Sequence, residues 1–428
     1  VILGLIVLAV LALPPLLAIA TAVAVVSLAA ATLLKLAVFG ASLAHRPAPL
    51  PAIGEESLPV ISIIVALYRE ADITPRLIRR LGRLDYPKDR LDIVLVVEEE
   101  DAPTRLALDR AALPPWMRVV VAPDGLVRTK PRALNFALDF CRGSLVGVYD
   151  AEDAPEPDQL TKVAASFAQA PPEVVCLQGV LDFYNPRSNW LARCFTLEYA
   201  AWFRAMLPGL ERLGLPIPLG GTTLFFRRQA LVDLGGWDAW NVTEDADLGL
   251  RLARRGFRTA MLATTTHEEA NCRAIPWVRQ RSRWLKGYVM TYLTHMRRPG
   301  RLWRDLGAKR FLGVQILFLS GILQGLLAPV LWTWWLLSLG LPHPLGAWLS
   351  PGLIDTAVGL FLLAEVTNFA LGLLGLRRSA HPIGPGWLLT MPAYFMLQTL
   401  AAWKALWEVL HLPFYWDKTS HGHFDGMF

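Results

Sequence analysis

Three short runs carry the residue types that chemistry needs. The first is Asp150-Ala151-Glu152-Asp153, directly after the apolar run 145–149. Carboxylates at alternate positions on a strand end can share one divalent cation. A hard cation with few protein ligands and substrate phosphates is the magnesium or manganese pattern. A solvated acidic turn before Pro155 is the plainer reading of the same residues. The second run is Thr243-Glu244-Asp245, which opens an amphipathic segment. Thr243 suits an N-cap and the acids suit a first helical turn; a carboxylate there also suits a general base for an attacking hydroxyl. The third is Gln280-Arg281-Ser282-Arg283-Trp284, in a basic helical stretch. Arg283 can meet a phosphate and Trp284 offers a flat face to a ring; equally, Trp and Arg mark helices at a membrane surface.

The elements that must position these runs are short and regular. Residues 60–66 (VISIIVA) and 91–97 (LDIVLVV) predict buried parallel strands, and 145–149 a third. Residues 72–84 and 131–140 predict helices between them. That alternation is a doubly wound start, and such sheets bind ligands at the carboxyl ends of their strands. The conspicuous polar residues fall at those ends: Tyr68 and Glu70 after the first strand, Glu98 and Glu99 after the second, Asp150 after the third.

The chain has 428 residues, of which 54% are hydrophobic and only 18% charged. Soluble domains carry roughly 25% charge, so the composition excludes an ordinary soluble protein and a disordered one. Four scattered cysteines, with no CxxC pair, exclude a disulfide scaffold and a zinc motif and suit reduced core positions. Residues 1–44 contain one charged side chain, Lys35, and are long enough for two membrane passes broken near Pro14-Pro15. A signal peptide is the other reading of this stretch. Residues 58–300 read as an α/β domain. The uncharged run 311–340 and the segment 352–376 predict two further passes, so that 311–376 forms a membrane unit. Arg297, Arg298, Arg301, Arg304, Lys309 and Arg310 precede it and Arg377 and Arg378 follow, which puts the α/β domain in the cytoplasm. These flanks also account for the formal charge of +6, and no nucleic-acid module is visible. Residues 386–412 differ from the other apolar segments. Lys404 and Glu408, and Trp403 and Trp407, are each four apart, the pattern of a helix lying in the membrane interface. A third crossing, or a hairpin broken at Pro392, is the alternative.

Together the motifs resemble the membrane-embedded family 2 glycosyltransferases, the group of cellulose, hyaluronan and chitin synthases. That family carries a D, a DxD, a TED and a QxxRW in order. Here acids stand at 98–99, DAE at 150–152, TED at 243–245 and QRSRW at 280–284. The resemblance implies an α/β nucleotide-sugar-binding domain, GT-A-like and Rossmann-like, inserted between transmembrane helices. It implies donor binding by Tyr68, Glu70, Glu98, Glu99, Lys130 (in TKPRALN), Asp150, Glu152, Gln280 and Arg283. Asp150 and Glu152 become ligands of Mg2+ or Mn2+, Asp245 the general base, and Gly221, Thr222, Glu244 and Trp284, with Gly220, the acceptor side. Two departures stand out: Glu98 replaces an Asp, and the DxD is DxE with Asp153 beside it as a rival ligand.

The expected reaction is inverting transfer from a UDP-sugar, with UDP-glucose first choice, to a growing β-linked glycan that crosses a bacterial inner membrane. Periplasmic export subunits are conceivable partners. The main alternative is a non-processive enzyme acting on a membrane lipid; a catalytically dead transport subunit would not need Lys130, Asp245 and QxxRW together. Residues 413–428 include Trp416, Lys418 and Thr419, which resemble a gating segment over the donor. Glu365 and Asn368, three apart within 352–376, predict either a helix contact or a hydrophilic path.

Overall fold

The computed structural model describes residues 2–45, 50–343, 350–413 and 415, with side chains from residue 16. The apolar N-terminal stretch forms one helix, α1 (Ile2–Leu43). The break expected near Pro14-Pro15 does not occur, because the helix runs straight through both prolines. An internal proline removes one helical hydrogen bond, a loss that membrane helices tolerate.

The α/β domain begins as expected and then departs from a purely parallel plan. β1 (Ile61–Leu67), α2 (Thr74–Gly82), β2 (Leu91–Glu98), α3 (Ala102–Arg110), β3 (Met117–Ala122), α4 (Lys130–Leu138) and β4 (Leu145–Tyr149) form its first half. Its second half adds β5 (Ala154–Pro155), α5 (Gln159–Gln169), β6 (Val174–Phe183), α6 (Trp190–Ala201), α7 (Leu207–Arg212), β7 (Leu224–Arg227), α8 (Arg228–Asp233), α9 (Glu244–Arg254) and β8 (Arg258–Glu268). One eight-stranded sheet results, in the order β3-β2-β1-β4-β7-β6-β8-β5. β1 to β4 are mutually parallel where they pair. β7 runs antiparallel to both β4 and β6, so the sheet is mixed.

Both faces of the central strands are covered, which is why their sequences read as continuous apolar runs. On one face Ile63, Val65, Ile93 and Leu95 pack with Leu77 and Leu81 of α2 and with Leu160 and Val163 of α5. On the other, Ile64, Val94, Val96 and Val148 pack with Ala133, Leu134 and Ala137 of α4. Full burial of each such side chain contributes about 1.5–3 kcal/mol, so a charge at Ile63 would disrupt the sheet at its centre. Cys141, Cys176 and Cys194 are buried thiols in this domain and Cys272 is half-buried.

After the sheet come α10 (Ala274–Met296), α11 (Pro299–Val314), α12 (Gly321–Trp332), α13 (Trp334–Ser338), α14 (Pro351–Arg377) and α15 (Met391–His411). α11 bends at Gly307, whose φ of 72° lies in the left-handed region. Among the described residues three helices are long and apolar enough to cross a membrane: Leu16–Leu43, Pro299–Trp332 and Pro351–Arg377. Arg378 ties two of them to the domain by donating to the Ser42 hydroxyl at 2.9 Å and to the Arg204 carbonyl at 2.8 Å.

α15 is not among those three, and its polar pair is not a surface pair. The Glu408 side chain is 4% exposed and meets the fully buried Lys286 ammonium of α10 at 3.1 Å. Lys404 approaches the other carboxylate oxygen. Trp403 and Trp407 stay largely exposed. The helical spacing therefore has two faces, with the charges turned toward α10 and the tryptophans outward.

Candidate active site

The strand ends deliver the carboxylates. β4 stops at Tyr149, and Asp150 follows with its side chain about one-third exposed to the cleft. Lys130, at the first turn of α4, pairs with Asp150 and also donates to the Gly221 carbonyl at 3.0 Å. Burial opposes the charge on Lys130, yet Asp150 and Glu244 carry its pKa upward overall. Glu152 lines the same cleft, and its backbone carbonyl is held by the buried Arg80 guanidinium at 2.6 Å.

Asp153 is not a third cleft ligand. Its side chain is fully buried and turned into the fold. One carboxyl oxygen accepts from the Asp150 N–H at 2.8 Å and from the Thr222 hydroxyl. Burial, reinforced by the charges of Asp150 and Glu152, pushes its pKa far up. Of the DAED carboxylates, Asp150 and Glu152 belong to residues that line the cleft, while Asp153 braces the turn. Thr222 lines the cleft too, but its hydroxyl is committed to Asp153 and to the Val148 carbonyl.

Thr243-Glu244-Asp245 opens α9, as the capping pattern suggested, although Thr243 makes no side-chain cap. Thr243 is pinned from outside the helix: its N–H donates to Asn241 at 3.0 Å, and a Cβ on Gly287 of α10 would lie 2.1 Å from its hydroxyl. Glycine at 287 therefore lets α10 close onto α9. That contact brings Gln280-Trp284 and Glu244-Asp245 to one cleft. Gly221 faces them across it with φ +81°; a Cβ there would stand 3.3 Å from the Asp245 carboxylate. Burial raises the Asp245 carboxyl to about 6, against the pull of the Ala246 N–H and Lys130. Burial and the neighbouring Asp245 charge raise Glu244 to about 7.

On α10 the two arginines of QRSRW divide. Arg281 turns away to pair with Glu198 and stacks its guanidinium 4.6 Å from the Trp284 ring centroid. Arg283 faces the carboxylates; burial lowers its pKa while Glu244 and Asp150 resist that fall. The Gln280 side-chain amide oxygen accepts from the Asn271 amide at 2.8 Å. Trp284 leans on Tyr199 and Phe195 and lines the cleft.

At the outer part of the cleft stand Tyr68, Glu70 and Glu98. Glu98 is buried against Arg132 at 2.9 Å, and burial still raises its pKa. Glu99, expected beside it, does not line the cleft; it accepts from the Asp124 N–H at 3.2 Å. Alternation explains this, since adjacent residues at a strand end point to opposite faces. Glu100 does not line the cleft either, but it reaches two residues that do, accepting from the Tyr68 hydroxyl at 3.2 Å and from Arg128 at 2.7 Å. Arg128, Arg132, Glu100 and Glu268 escaped sequence reasoning. Glu268, at the end of β8, lines the cleft opposite Asp150, and burial together with Asp153, Glu152 and Asp150 pushes its pKa far up. Trp416, Lys418 and Thr419 lie outside the described residues.

The cleft opens into one continuous cavity of about 1280 Å³ that runs on between the apolar helices. Among the described residues no three His, Cys, Asp or Glu side chains cluster as a metal cage. Two cleft carboxylates with their third neighbour bonded away fit a hard cation that takes its other oxygens from a phosphate ligand.

Residues 59–287 match the pattern described as Glycosyltransferase like family 2, and the chain belongs to that family. A β-monoglucosyldiacylglycerol synthase of Synechocystis is 31% identical over 243 residues, 56% of this chain and 50% of that protein. The cellulose synthase 1 catalytic subunit [UDP-forming] of Komagataeibacter xylinus is 27% identical over 58% of this chain and 33% of its own length. The chain spans about half the length of the first of these. Among solved structures, the mannosyltransferase PcManGT of Pyrobaculum calidifontis, in complex with GDP-Man and Mn2+, aligns with a TM-score of 0.52 at 21% identity, covering 89% of this chain and 99% of that one. The fold is the GT-A-like fold of nucleotide-sugar enzymes, flanked by helices apolar enough to span a membrane.

Proposed function

We propose that this glycosyltransferase transfers a sugar, with inversion, from a UDP-sugar to a growing β-linked glycan and feeds the product into the membrane. The observation that carries this reading is continuity. One cavity joins Asp245 and Trp284 to Tyr288, Phe361 and Trp335, the last at the end of the bundle remote from the sheet. Aromatic rings suit the apolar faces of sugars, and a path through the bundle suits a chain that moves.

The chemistry follows from the positions. Asp245 accepts the proton of the acceptor hydroxyl as that oxygen attacks the anomeric carbon. Its raised pKa keeps it basic enough to take the proton and still ionised near neutrality. Lys130 and Arg283 meet the charge that develops on the leaving diphosphate. Asp150 and Glu152 would hold Mg2+ or Mn2+, which supplies further positive charge at the same oxygens. Tyr68, Glu70 and Glu98 flank the nucleoside end, and Trp284 holds the acceptor sugar for in-line attack. The basic flanks of the membrane segments support a cytoplasmic catalytic domain.

A lipid acceptor is the second reading. The walls of the cavity are largely apolar, and one relative is named for a glucolipid product. Purified protein in lipid nanodiscs, given labelled UDP-sugars one at a time, separates the two. Polymer that resists solvent extraction supports the glycan reading; a single labelled lipid, with no longer product, overturns it.

A further inference from the structure

Beyond the catalytic cleft the cavity is lined mostly by apolar side chains, with a charged group where α1 meets α14. There the Lys35 ammonium of α1 donates to the Asn368 side-chain amide oxygen (Oδ1) of α14 at 2.8 Å. Glu365, about one turn along α14, interacts electrostatically with the same ammonium. Thr32 of α1, Gln324 of α12 and Gln398 of α15 line the same cavity. The group lies well inside the bundle: from Glu365 to Arg377, at the sheet end of α14, is about 18 Å at 1.5 Å per residue.

Such a group is costly in an apolar span unless it faces a partner or a hydrophilic path. A closed ion pair could be replaced by apolar side chains without loss. Here the three side chains line a cavity that opens onto the catalytic base, so each can present polar atoms to whatever occupies it. An ammonium carries three N–H donors, of which Asn368 receives one. An acyl chain in this position would desolvate all these groups and offer no hydrogen bond in return. A sugar chain offers hydroxyl donors and acceptors at the edge of each ring and apolar faces above and below. Phe361 and Phe369 of α14 line the cavity on either side of this level, where such faces would lie.

We infer that Lys35, Glu365 and Asn368 form a hydrogen-bonding station for the hydroxyls of a polyhydroxylated product, set inside the bundle behind the growing end. The inference rests on the polymer reading. The station's grip on the chain opposes its release, so weakening it shortens the product without touching the donor site.

The test uses the full chain in nanodiscs with labelled UDP-sugar, and reads product length alongside UDP affinity. Lys35→Met and Asn368→Leu should each shorten the mean product about fivefold, the factor one lost hydrogen bond is worth, with UDP affinity unchanged. Glu365→Gln, which keeps the hydrogen-bonding shape, should retain longer product than Glu365→Leu. Asn368→Leu exchanges one neutral side chain for another and carries the test if Lys35→Met fails to insert. Native protein that makes polymer, with variants that make it at the same length, overturns the station alone. Native protein that makes only a one-sugar lipid overturns the polymer reading, and the station with it.

Discussion

Asp92 and Glu98 stand at opposite ends of β2, and they lead different lives. Asp92, at the start of the strand, is saturated: it accepts from the Ser62 hydroxyl at 2.6 Å, from Arg118 at 2.9 Å and from Arg142 at 3.1 Å. Burial alone would raise its pKa, but these partners hold it below the usual carboxylate range. Glu98, at the other end, is nearly as buried but has one arginine, and its pKa lies above the ordinary value. Around the cleft, Glu244, Asp245 and Glu268 are all raised by burial that their partners do not offset. Asp92 holds the fold, whereas Glu98, Glu244, Asp245 and Glu268 at the cleft are left short of partners, which is the condition in which a carboxylate can take up a cation or a proton.

The comparison is broken most severely at Asp245. Asp245→Asn keeps the shape and removes the proton acceptor. Transfer should fall about 10²–10⁴-fold, the usual worth of a general base, while calorimetry finds UDP binding unchanged. Turnover close to native would remove Asp245 from the mechanism. Asp92→Asn should do the opposite. Its amide turns donors toward two guanidinium groups, at a cost of about 1–3 kcal/mol of stability. Thermal melting should drop while transfer per folded molecule holds.

pH separates the two ends more gently. A base must be ionised, so transfer should fall as pH drops through about 6, the value to which burial lifts Asp245. Asp92 has the opposite sign. Its folded pKa is depressed, so its contribution to stability is complete above the unfolded value of about 3.9 and fades only below it. Between pH 8 and pH 5, therefore, the melting gap between native protein and Asp92→Asn should stay constant while the transfer rate declines. A gap that closes over that same range would mean Asp92 titrates like a cleft carboxylate.

Which parts of this were legible in the sequence follows from the range of the forces involved. β1, β2 and β4 were readable because β-branched runs report local burial, and their carboxyl ends placed Tyr68, Glu98 and Asp150 at the cleft. β6, β7 and β8 were not read, since their pairing depends on a reversal at β7 that no local pattern announces. Within Glu98-Glu99-Glu100 the residues are alike, and only the fold singles out Glu98 as the one that lines the cleft. Lys404 and Glu408 were visible as a helical pair. Their burial was not, because it depends on Lys286, which belongs to a distant part of the chain. Glu268 carried no motif at all, and only the folding of β8 beside β6 brings it to Asp150.

The smallest expected effect is the sharpest probe of the cleft. In Asp150-Ala151-Glu152-Asp153 all three carboxylates are candidates for a cation by composition, but Asp153 faces inward. Burial pushes its pKa up and so favours the neutral carboxyl, with one oxygen accepting from the Asp150 N–H and the Thr222 hydroxyl. An asparagine amide can accept the same two bonds through its own oxygen and is neutral at every pH. Asp153→Asn should therefore change stability by less than about 1 kcal/mol, within the range of a single hydrogen bond, and leave Mn2+-dependent UDP binding intact. Asp150→Asn, by contrast, should abolish that dependence, because it removes a charge from the cleft itself. Calorimetry with UDP, in Mn2+ and again in EDTA, distinguishes the two variants. If Asp153→Asn loses the metal dependence as Asp150→Asn does, the inward carboxyl swings outward on binding and the turn it braces is part of the cation site.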